Sequence, residues 1–317
     1  MQIVFLFKKM NKLNGQNIRS KRIIENTNND FLYINEISFK NLFKKYDLLY
    51  IENSTLPFFL SINPYYSLII ILFMLKNRKI VHLFYRDIHW KFNMKKNSGR
   101  LKTFLLRGFF YIELKFFRYS AYKFYLPSLQ MNDFLKFKHF NEFHPRCSKF
   151  KDNRSYSPIT NLVYSGNINQ TQYDIHDLIM KAIENKIYLD IYCPLLSFQN
   201  HTKYADYTNN KYIKFIFDED FYYSDKNYSY FFDARNQNNY LNFSMPLKIF
   251  DAISKNIPII TSNPDTEYGK YIVKNNLGFA CNDIDDCFDI LQRKPGELKN
   301  FQKHVDGHSW DVFLSNL

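Results

Sequence analysis

The chain has 317 residues, 46% of them hydrophobic, which is enough to fill the cores of two domains of ordinary size. Four cysteines without C-x-x-C spacing or nearby paired histidines argue against a zinc site and favour reduced thiols. The first apolar stretch, residues 3–7, is far too short for a secretory signal. We therefore expect a cytoplasmic protein of two domains.

The net charge of +13 is divided unevenly. Residues 1–160 carry 28 Lys and Arg against 10 Asp and Glu, a balance of +18, whereas residues 161–317 carry 15 against 20, a balance of −5. A basic half is attracted to anionic lipid or to nucleic acid, although a Lys-rich composition alone is an open alternative. We expect an anionic membrane surface, not nucleic acid, as its partner.

Buried strands and helices alternate along the first half. The predicted strands are 2–7, 31–34, 47–52, 79–85 and 123–126, and the predicted helices are a basic one from Ile18, 64–76, 101–119 and one from about Gln130. The apolar stretch 56–75 is interrupted by Asn63 and Pro64, and its unbroken part, residues 65–75, is shorter than the about 20 residues that a bilayer requires, so we expect a buried helix. Helix 101–119 mixes Phe and Leu with Lys and Arg, which fits either a membrane surface or core burial.

The second half repeats the alternation. The predicted strands are 162–166, 188–193, 212–217, 228–232, 257–260 and 278–281, and the predicted helices are 175–185, 246–255, 266–276, 285–293 and one around Trp310. Strands alternating with helices twice over predict an α/β fold with two parallel sheets. We expect domains at 1–145 and 159–317, joined by a linker at 146–158.

Residues 231–262, FFDARNQNNYLNFSMPLKIFDAISKNIPIITS, carry the strongest functional signal. A buried strand ends at Asp233 and a polar loop carries Arg235; Ser244 and Pro246 are signals for a helix start. Asn256 can stop that helix in a left-handed conformation before the next buried strand. Free N–H groups at a helix start, beyond the carboxyl ends of parallel strands, are suited to phosphate.

Two side chains on this predicted helix face the same way. Lys248 and Asp251 are three residues apart, so a phosphate contact and a hydroxyl acceptor would share one face. An ordinary solvated helix face would show the same spacing, and Arg235 and Lys248 would then form surface ion pairs with Asp233 or Asp251.

The segment Pro246-Leu-Lys-Ile-Phe-Asp-Ala-Ile-Ser-Lys-Asn-Ile-Pro-Ile-Ile-Thr261 resembles the donor-sugar site of GT-B glycosyltransferases, especially bacterial enzymes related to glycosyltransferase families 1 and 4. The resemblance implies two Rossmann-like domains facing a cleft. It also implies that the helix start at Ser244, Met245, Pro246 and Leu247 cradles a diphosphate and that Asp251 binds the ribose. The sequence departs from the pattern at Asp251, where Glu is commoner, at Asn256, where Gly is usual, and at Phe243, which replaces the first Glu of an E-x7-E pair.

Three further stretches resemble the same enzymes in the same order. Tyr125-Leu-Pro-Ser128 is similar to the strand and loop before the interdomain crossing, Val163-Tyr-Ser-Gly-Asn-Ile168 to the turn that opens the second domain, and His308-Ser-Trp310 to the terminal helix. Gly166 and Asn167 in that turn are further donor-site candidates, because a strand-to-helix turn often needs positive φ and close backbone approach. A purely structural need for Gly166 remains open.

Two sets of candidates lie in the first half. The hexapeptide Tyr85–Trp90 follows a buried strand, and its Asp87 or His89 can accept the proton of an acceptor hydroxyl. The alternative is that Asp87 caps a turn or pairs with Arg86 while His89 and Trp90 pack. Gly15 with Arg19 can present a basic loop to a diphosphate or to the acceptor, or can be an ordinary turn before a solvated helix.

No P-loop, H-E-x-x-H or G-x-S-x-G motif is present, and Asp218-Glu-Asp220 has the D-x-D spacing only formally, so we expect no cofactor and no obligatory metal. The resemblance implies transfer of a sugar from a nucleotide-diphosphate sugar to a lipid-linked or oligosaccharide acceptor in bacterial surface polysaccharide (lipopolysaccharide O-antigen or capsule) synthesis. It also implies a place in the cytoplasm, on the inner face of the membrane. A nucleotide-sugar epimerase of the same fold, or a non-enzymatic basic membrane- or nucleic-acid-binding protein, are the alternatives.

Overall fold

The structure is a computed structural model, and it describes residues 3–7, 15–53, 57–86, 88–92, 100–155, 160–169, 173–235, 241–292 and 301–315. The chain divides into two compact units. The N-terminal unit comprises Met1–His144 with Leu314–Leu317, and the C-terminal unit comprises Pro145–Phe313.

The N-terminal unit is built on one parallel sheet with the order β2-β1-β3-β4-β5-β6. Its strands are β1 (Ile3–Phe7), β2 (Asp30–Tyr33), β3 (Leu48–Glu52), β4 (Val81–Phe84), β5 (Lys123–Leu126) and β6 (Phe140–Glu142), and its helices are α1 (Gly15–Glu25), α2 (Pro64–Lys76), α3 (His89–Phe92), α4 (Arg100–Ser120) and α5 (Met131–Leu135). Every residue of β1, β3 and β4 is buried, which is typical of a parallel strand covered on both faces. The short strand β6 was not predicted.

The C-terminal unit contains the second parallel sheet, with the order β12-β11-β10-β7-β8-β9. Its strands are β7 (Asn161–Ser165), β8 (Tyr188–Cys193), β9 (Ile213–Phe217), β10 (Tyr230–Asp233), β11 (Ile259–Thr261) and β12 (Gly278–Ala280). The helices of this part of the chain are α6 (His176–Glu184), α7 (Leu195–Gln199), α8 (Leu247–Ser254), α9 (Glu267–Lys274), α10 (Ile284–Gln292), α11 (Phe301–Gly307) and α12 (Trp310–Ser315). The prediction of two parallel sheets in an α/β fold is confirmed.

In the second sheet the order in which strands are added reverses between β7 and β10. The first strand of this unit, β7, pairs with β8 on one side and with β10 on the other. Later strands extend outward from β7 on the β8 side and from β10 on the other side. Such a switch point leaves a crevice beyond the carboxyl ends of the two central strands, where open α/β sheets bind ligands.

Helix α2 shows how local signals set boundaries while tertiary contacts set burial. It begins at Pro64, as predicted, and the Asn63 side chain caps it by accepting from the Tyr65 N–H at 2.9 Å. It is buried on one side only, contrary to the expectation of a buried helix: Ile69, Ile70, Phe73 and Met74 are buried, and Tyr65, Leu68, Leu72 and Leu75 are exposed. Across the described ranges, no helix is both long and apolar enough to span a bilayer.

Candidate active site

The loop after β10 carries a buried ion pair. Asp233 ends the strand, and Arg235 folds back so that its Nε lies 3.0 and 3.3 Å from the two Asp233 carboxylate oxygens. The guanidinium also donates from Nη1 to Ser244 Oγ at 3.0 Å and lies 3.9 Å from the centre of the Tyr268 ring. Both charged side chains are less than 10% exposed. The alternative of a surface ion pair is therefore wrong, because the pair is buried.

Arg235 stays charged and keeps one free donor. Burial lowers the pKa of Arg235, but the neighbouring Asp233 carboxylate, together with Tyr268 and Tyr173, offsets this, and the net shift is upward. Its Nη2 is buried and, within the described part of the chain, has no hydrogen-bond partner. The arginine is therefore held in place by Asp233 and Ser244 while one nitrogen of its fork remains available to an anionic ligand.

Lys248 spans the switch point. It lies in the first turn of α8, and its Nζ donates to Ser165 Oγ, at the end of β7, at 2.9 Å. The Asp220 carboxylate, which caps the turn after β9, is 4.0 Å from the same nitrogen. The side chain is 29% exposed, so its ammonium is held over the carboxyl ends of the central strands and is still reachable from solvent. We call Ser165, Asp233, Arg235, Ser244 and Lys248 the switch-point cluster.

Helix α8 begins beside this cluster. Pro246 is the residue that precedes the first helical turn, and its side chain offers no cap, while Met245 is buried and Leu247 half-buried. A helix start without a side-chain cap leaves backbone N–H groups and the positive end of the dipole for another acceptor. At the other end, Asn256 has φ of 59°, which confirms the predicted left-handed stop.

Asp251 does not lie on a polar helix face. It is 2% exposed, and Lys255, one turn further, is 3% exposed. Burial lowers the pKa of Lys255, whereas the Asp251 charge raises it, so the two side chains interact inside the unit. The solvated-face interpretation is therefore wrong for Asp251. Its contact with a ribose stays a prediction.

The turn after β7 differs in detail from the expectation. Gly166 does not adopt a positive φ; among the described glycines only Gly278 does. A Cβ on Gly166 would lie 3.1 Å from Tyr164 Oη, and that hydroxyl donates to the Asn167 carbonyl at 2.6 Å. The small residue makes room for this bond, and the Asn167 side chain is exposed at the same edge of the sheet as Ser165.

The structure describes only some of the candidate residues of the N-terminal unit. Gly15 is the first residue of α1, and Arg19 lies inside that helix and is 5% exposed. The prediction that Arg19 belongs to a basic loop is therefore wrong. Asp87 lies outside the described residues. His89 begins α3, with its side chain outside the described set, and Trp90 packs against Phe110 with ring centres 5.0 Å apart.

Sequence reasoning missed three polar residues near the cluster. Asp220 is only 12% exposed beside Lys248, and Asn263 donates to the Arg235 carbonyl at 2.8 Å. Thr261 ends β11 and donates to the Asp233 carbonyl at 3.3 Å. All three follow or end a predicted strand, which is the signal that could have found them. The described residues contain no cluster of three or more His, Cys, Asp or Glu suited to a metal ion.

Comparisons with known proteins concern the fold. No family model and no curated protein matches the chain. Among solved structures, the chain is similar to Anabaena Alr3699/HepE in complex with UDP-glucose (12% identity, TM-score 0.61, both chains covered completely). It is also similar to AviGT4, a glycosyltransferase involved in avilamycin A biosynthesis (9% identity, TM-score 0.58, 99% of this chain and 96% of that one). The lipopolysaccharide outer core galactosyltransferase WaaB, in its apo form, is a third (11% identity, TM-score 0.56, both chains covered completely). At these identities the likeness shows that the chain has the GT-B fold, as predicted.

Proposed function

We propose that the chain is a glycosyltransferase that takes a sugar from a nucleotide-diphosphate donor bound at the switch-point cluster. The observation that carries this is the position of Lys248, whose ammonium reaches from the start of α8 to Ser165 at the end of β7. Together with Arg235 it supplies two cations beside a helix start without a side-chain cap. A diphosphate is the ligand that this arrangement suits best.

The arrangement has a chemical use in sugar transfer. When the bond between the sugar and the diphosphate breaks, negative charge develops on the departing phosphate, and fixed cations stabilise that charge. Lys248 and the open Nη2 of Arg235 would contact the phosphates, the α8 start at Ser244–Leu247 and the turn at Gly166 and Asn167 would surround them, and Asp251 would accept hydrogen bonds from the ribose. Asp87, or else His89, would receive the proton of the acceptor hydroxyl.

The direct test is a thermal-stability screen of the protein against uridine, guanosine, adenosine and cytidine diphosphates and their sugars. A ligand present at about a hundred times its dissociation constant adds about 2.7 kcal/mol to stability. We expect one base to stabilise the wild type strongly and the Lys248→Ala variant weakly. Absence of stabilisation by every nucleotide would contradict the proposal. Conversion of a free nucleotide sugar without any acceptor would favour the epimerase instead.

For the acceptor, we propose a lipid-linked oligosaccharide of bacterial surface polysaccharide synthesis, reached at the cytoplasmic face of the membrane. Support comes from an apolar surface on α4, which buries Phe110, Leu114 and Phe117 on its inner side. The outer side exposes Leu101, Phe104, Leu105, Tyr111 and Ile112 among the exposed bases Lys102, Arg107 and Lys115. Contiguous apolar exposure rimmed by bases suits an anionic bilayer surface.

This membrane contact is tested by changing Lys102, Arg107 and Lys115 together to Gln. Each base near an anionic surface contributes about 1 kcal/mol, so the loss of three should weaken binding to phosphatidylglycerol vesicles on the order of 100-fold. A matched variant with Lys211, Lys214 and Lys274 of the C-terminal unit changed to Gln should bind as the wild type does. Binding of the parent protein to neutral vesicles as strongly as to anionic ones, or at a level that rising salt leaves unchanged, would contradict the proposal.

A further inference from the structure

The carboxyl edge of the first sheet holds polar side chains whose hydrogen-bonding capacity is unused. Arg19 on α1, Glu52 at the end of β3 and Asn53 just after it are 5%, 2% and 1% exposed, respectively. We call these three residues the buried edge cluster. Within the described part of the chain, the Arg19 Nε and Nη1, the Glu52 Oε2 and both amide atoms of Asn53 are buried and have no hydrogen-bond partner.

The described groups around the cluster hold its side chains in place but do not form hydrogen bonds with these five atoms. The Arg19 Nε is 4.0 Å from Glu52 Oε1, which is an ion-pair distance and too long for a hydrogen bond. Tyr50 donates its hydroxyl to that same carboxylate oxygen at 3.1 Å, so Oε2 faces elsewhere. The Arg19 guanidinium lies 4.2 Å from the centre of the Phe84 ring, and the Asn53 N–H donates to the Phe84 carbonyl at 2.9 Å.

Unpaired polar atoms are rare inside proteins because burying them without a partner is costly. Five of them in three residues, at the edge where parallel α/β sheets bind ligands, point to a ligand. The chemistry of the five atoms selects its class. Glu52 requires a donor, Arg19 requires an acceptor, and the Asn53 amide requires one of each.

We propose that the buried edge cluster binds adjacent hydroxyl groups of a neutral sugar. Each sugar hydroxyl both donates and accepts, so a pair of them can serve the carboxylate, the guanidinium and the amide together. A phosphate offers mainly acceptors, and its negative charge would face the Glu52 carboxylate. The inference rests on the proposed function, since it makes this site a position for the glycan acceptor in the N-terminal unit.

The test combines stability with binding in the full-length protein. Asn53→Leu keeps the volume of the side chain and removes two unpaired polar atoms, so the thermal midpoint of the sugar-free protein should rise by about 2–6 °C. Asn41→Leu is the matched control in the same unit, because the Asn41 Oδ1 accepts from the Ser38 N–H at 2.8 Å and from its hydroxyl at 3.0 Å. That variant should lower the midpoint.

Binding is measured by saturation-transfer NMR with glucose, galactose, mannose and N-acetylglucosamine at about 100 mM, well above a millimolar dissociation constant. We expect at least one sugar to bind the wild type and the Asn41→Leu variant, and to lose at least tenfold in affinity in Asn53→Leu and in Glu52→Gln. Inorganic phosphate should not compete.

Three results would overturn this inference: a lower midpoint for Asn53→Leu, which would make Asn53 structural; competition by phosphate; or no Asn53-dependent binding of any sugar in the panel, which would leave ordered water as the partner. Uridine and guanosine diphosphate are added in parallel. If a diphosphate binds and the sugars do not, only this inference fails, whereas absence of both contradicts the proposed function as well.

Discussion

The carboxyl edges of the two sheets differ in how their buried charges are satisfied. In the C-terminal unit, Arg235 is fixed by Asp233 and Ser244, and Lys248 by Ser165, so that the cations are in place before any ligand arrives. In the N-terminal unit, Arg19 and Glu52 approach only to 4.0 Å, and the Asn53 side chain has no hydrogen-bond partner among the described residues. A preassembled edge suits a ligand of high charge, and an edge with unused hydrogen-bonding capacity suits a neutral one.

The strand orders explain part of this difference. In the second sheet the two central strands, β7 and β10, both end in polar residues, Ser165 and Asp233, and the helix after β10 brings Lys248 back across them. In the first sheet β1 lies between β2 and β3, and the polar groups near this point come from the end of β3 and from α1. The same α/β rules thus produce two edges with different chemistry.

The largest effect is expected at Asp87. Asp87→Asn keeps the shape of the side chain and removes the proposed proton acceptor, so turnover should fall about 10²–10⁴-fold. Nucleotide affinity should stay near the wild-type value, because the residues proposed to hold the donor belong to the C-terminal unit. Steady-state kinetics and calorimetry measure the two quantities.

His89→Ala is the companion variant. A large loss of turnover in His89→Ala, with Asp87→Asn near wild type, would exchange the two roles. Normal turnover in both folded variants would show that neither residue accepts the proton.

The second prediction tests whether the edge of the second sheet is preassembled. Arg235→Ala leaves Asp233 as an uncompensated buried carboxylate, so the free energy of unfolding should fall by about 3–5 kcal/mol. Lys270→Ala is the control: its ammonium is 58% exposed and 3.8 Å from Glu267, a pairing worth less than about 1 kcal/mol. Equal unfolding midpoints in urea for both variants would contradict the buried-pair account.

Third, Lys248→Ala should separate catalysis from stability. The side chain is partly exposed, so its loss should cost no more than about 1 kcal/mol of stability, whereas removing a charge proposed to stabilise the departing phosphate should lower turnover about 10²–10³-fold. Lys270→Ala serves again as the matched control, with turnover expected at the wild-type level. Wild-type turnover in Lys248→Ala would place the phosphate site elsewhere.

The smallest of these effects is expected at Asp251. Asp251→Asn keeps the volume of a buried side chain and weakens the hydrogen bonds proposed between this residue and a ribose, so nucleotide affinity should fall by roughly 1.5–3 kcal/mol. Asp251→Ala should in addition lower stability, because the residue is 2% exposed. Unchanged affinity in calorimetry, with Asp251→Asn folded, would remove the ribose role and leave a structural one.

Much of the local structure follows from the sequence. Pro64 with Asn63 begins α2, Asn256 ends the helix that contains Lys248, and strand β5 (Lys123–Leu126) has the predicted bounds. These features depend on one residue and its near neighbours: a fixed φ, a side-chain cap, or a tolerated left-handed conformation. The sequence also predicts that Arg235 and Lys248 lie at the carboxyl edge of the sheet, because Arg235 follows a strand and Lys248 lies at a helix start.

Tertiary structure decided what the sequence left open. The order of strands in a sheet depends on pairings between segments that are distant in the sequence. Because β7 pairs with β10 as well as with β8, Lys248 reaches Ser165, 83 residues earlier. The burial of Asp251 and Arg19 could not be read from helical spacing, because both faces of a helix can carry charges, and only the elements packed against it determine which charges are desolvated. The unused hydrogen-bonding capacity of Asn53 is likewise a property of its surroundings: its sequence position indicates a strand end, and only the packed structure shows which of its neighbours leave it without a partner.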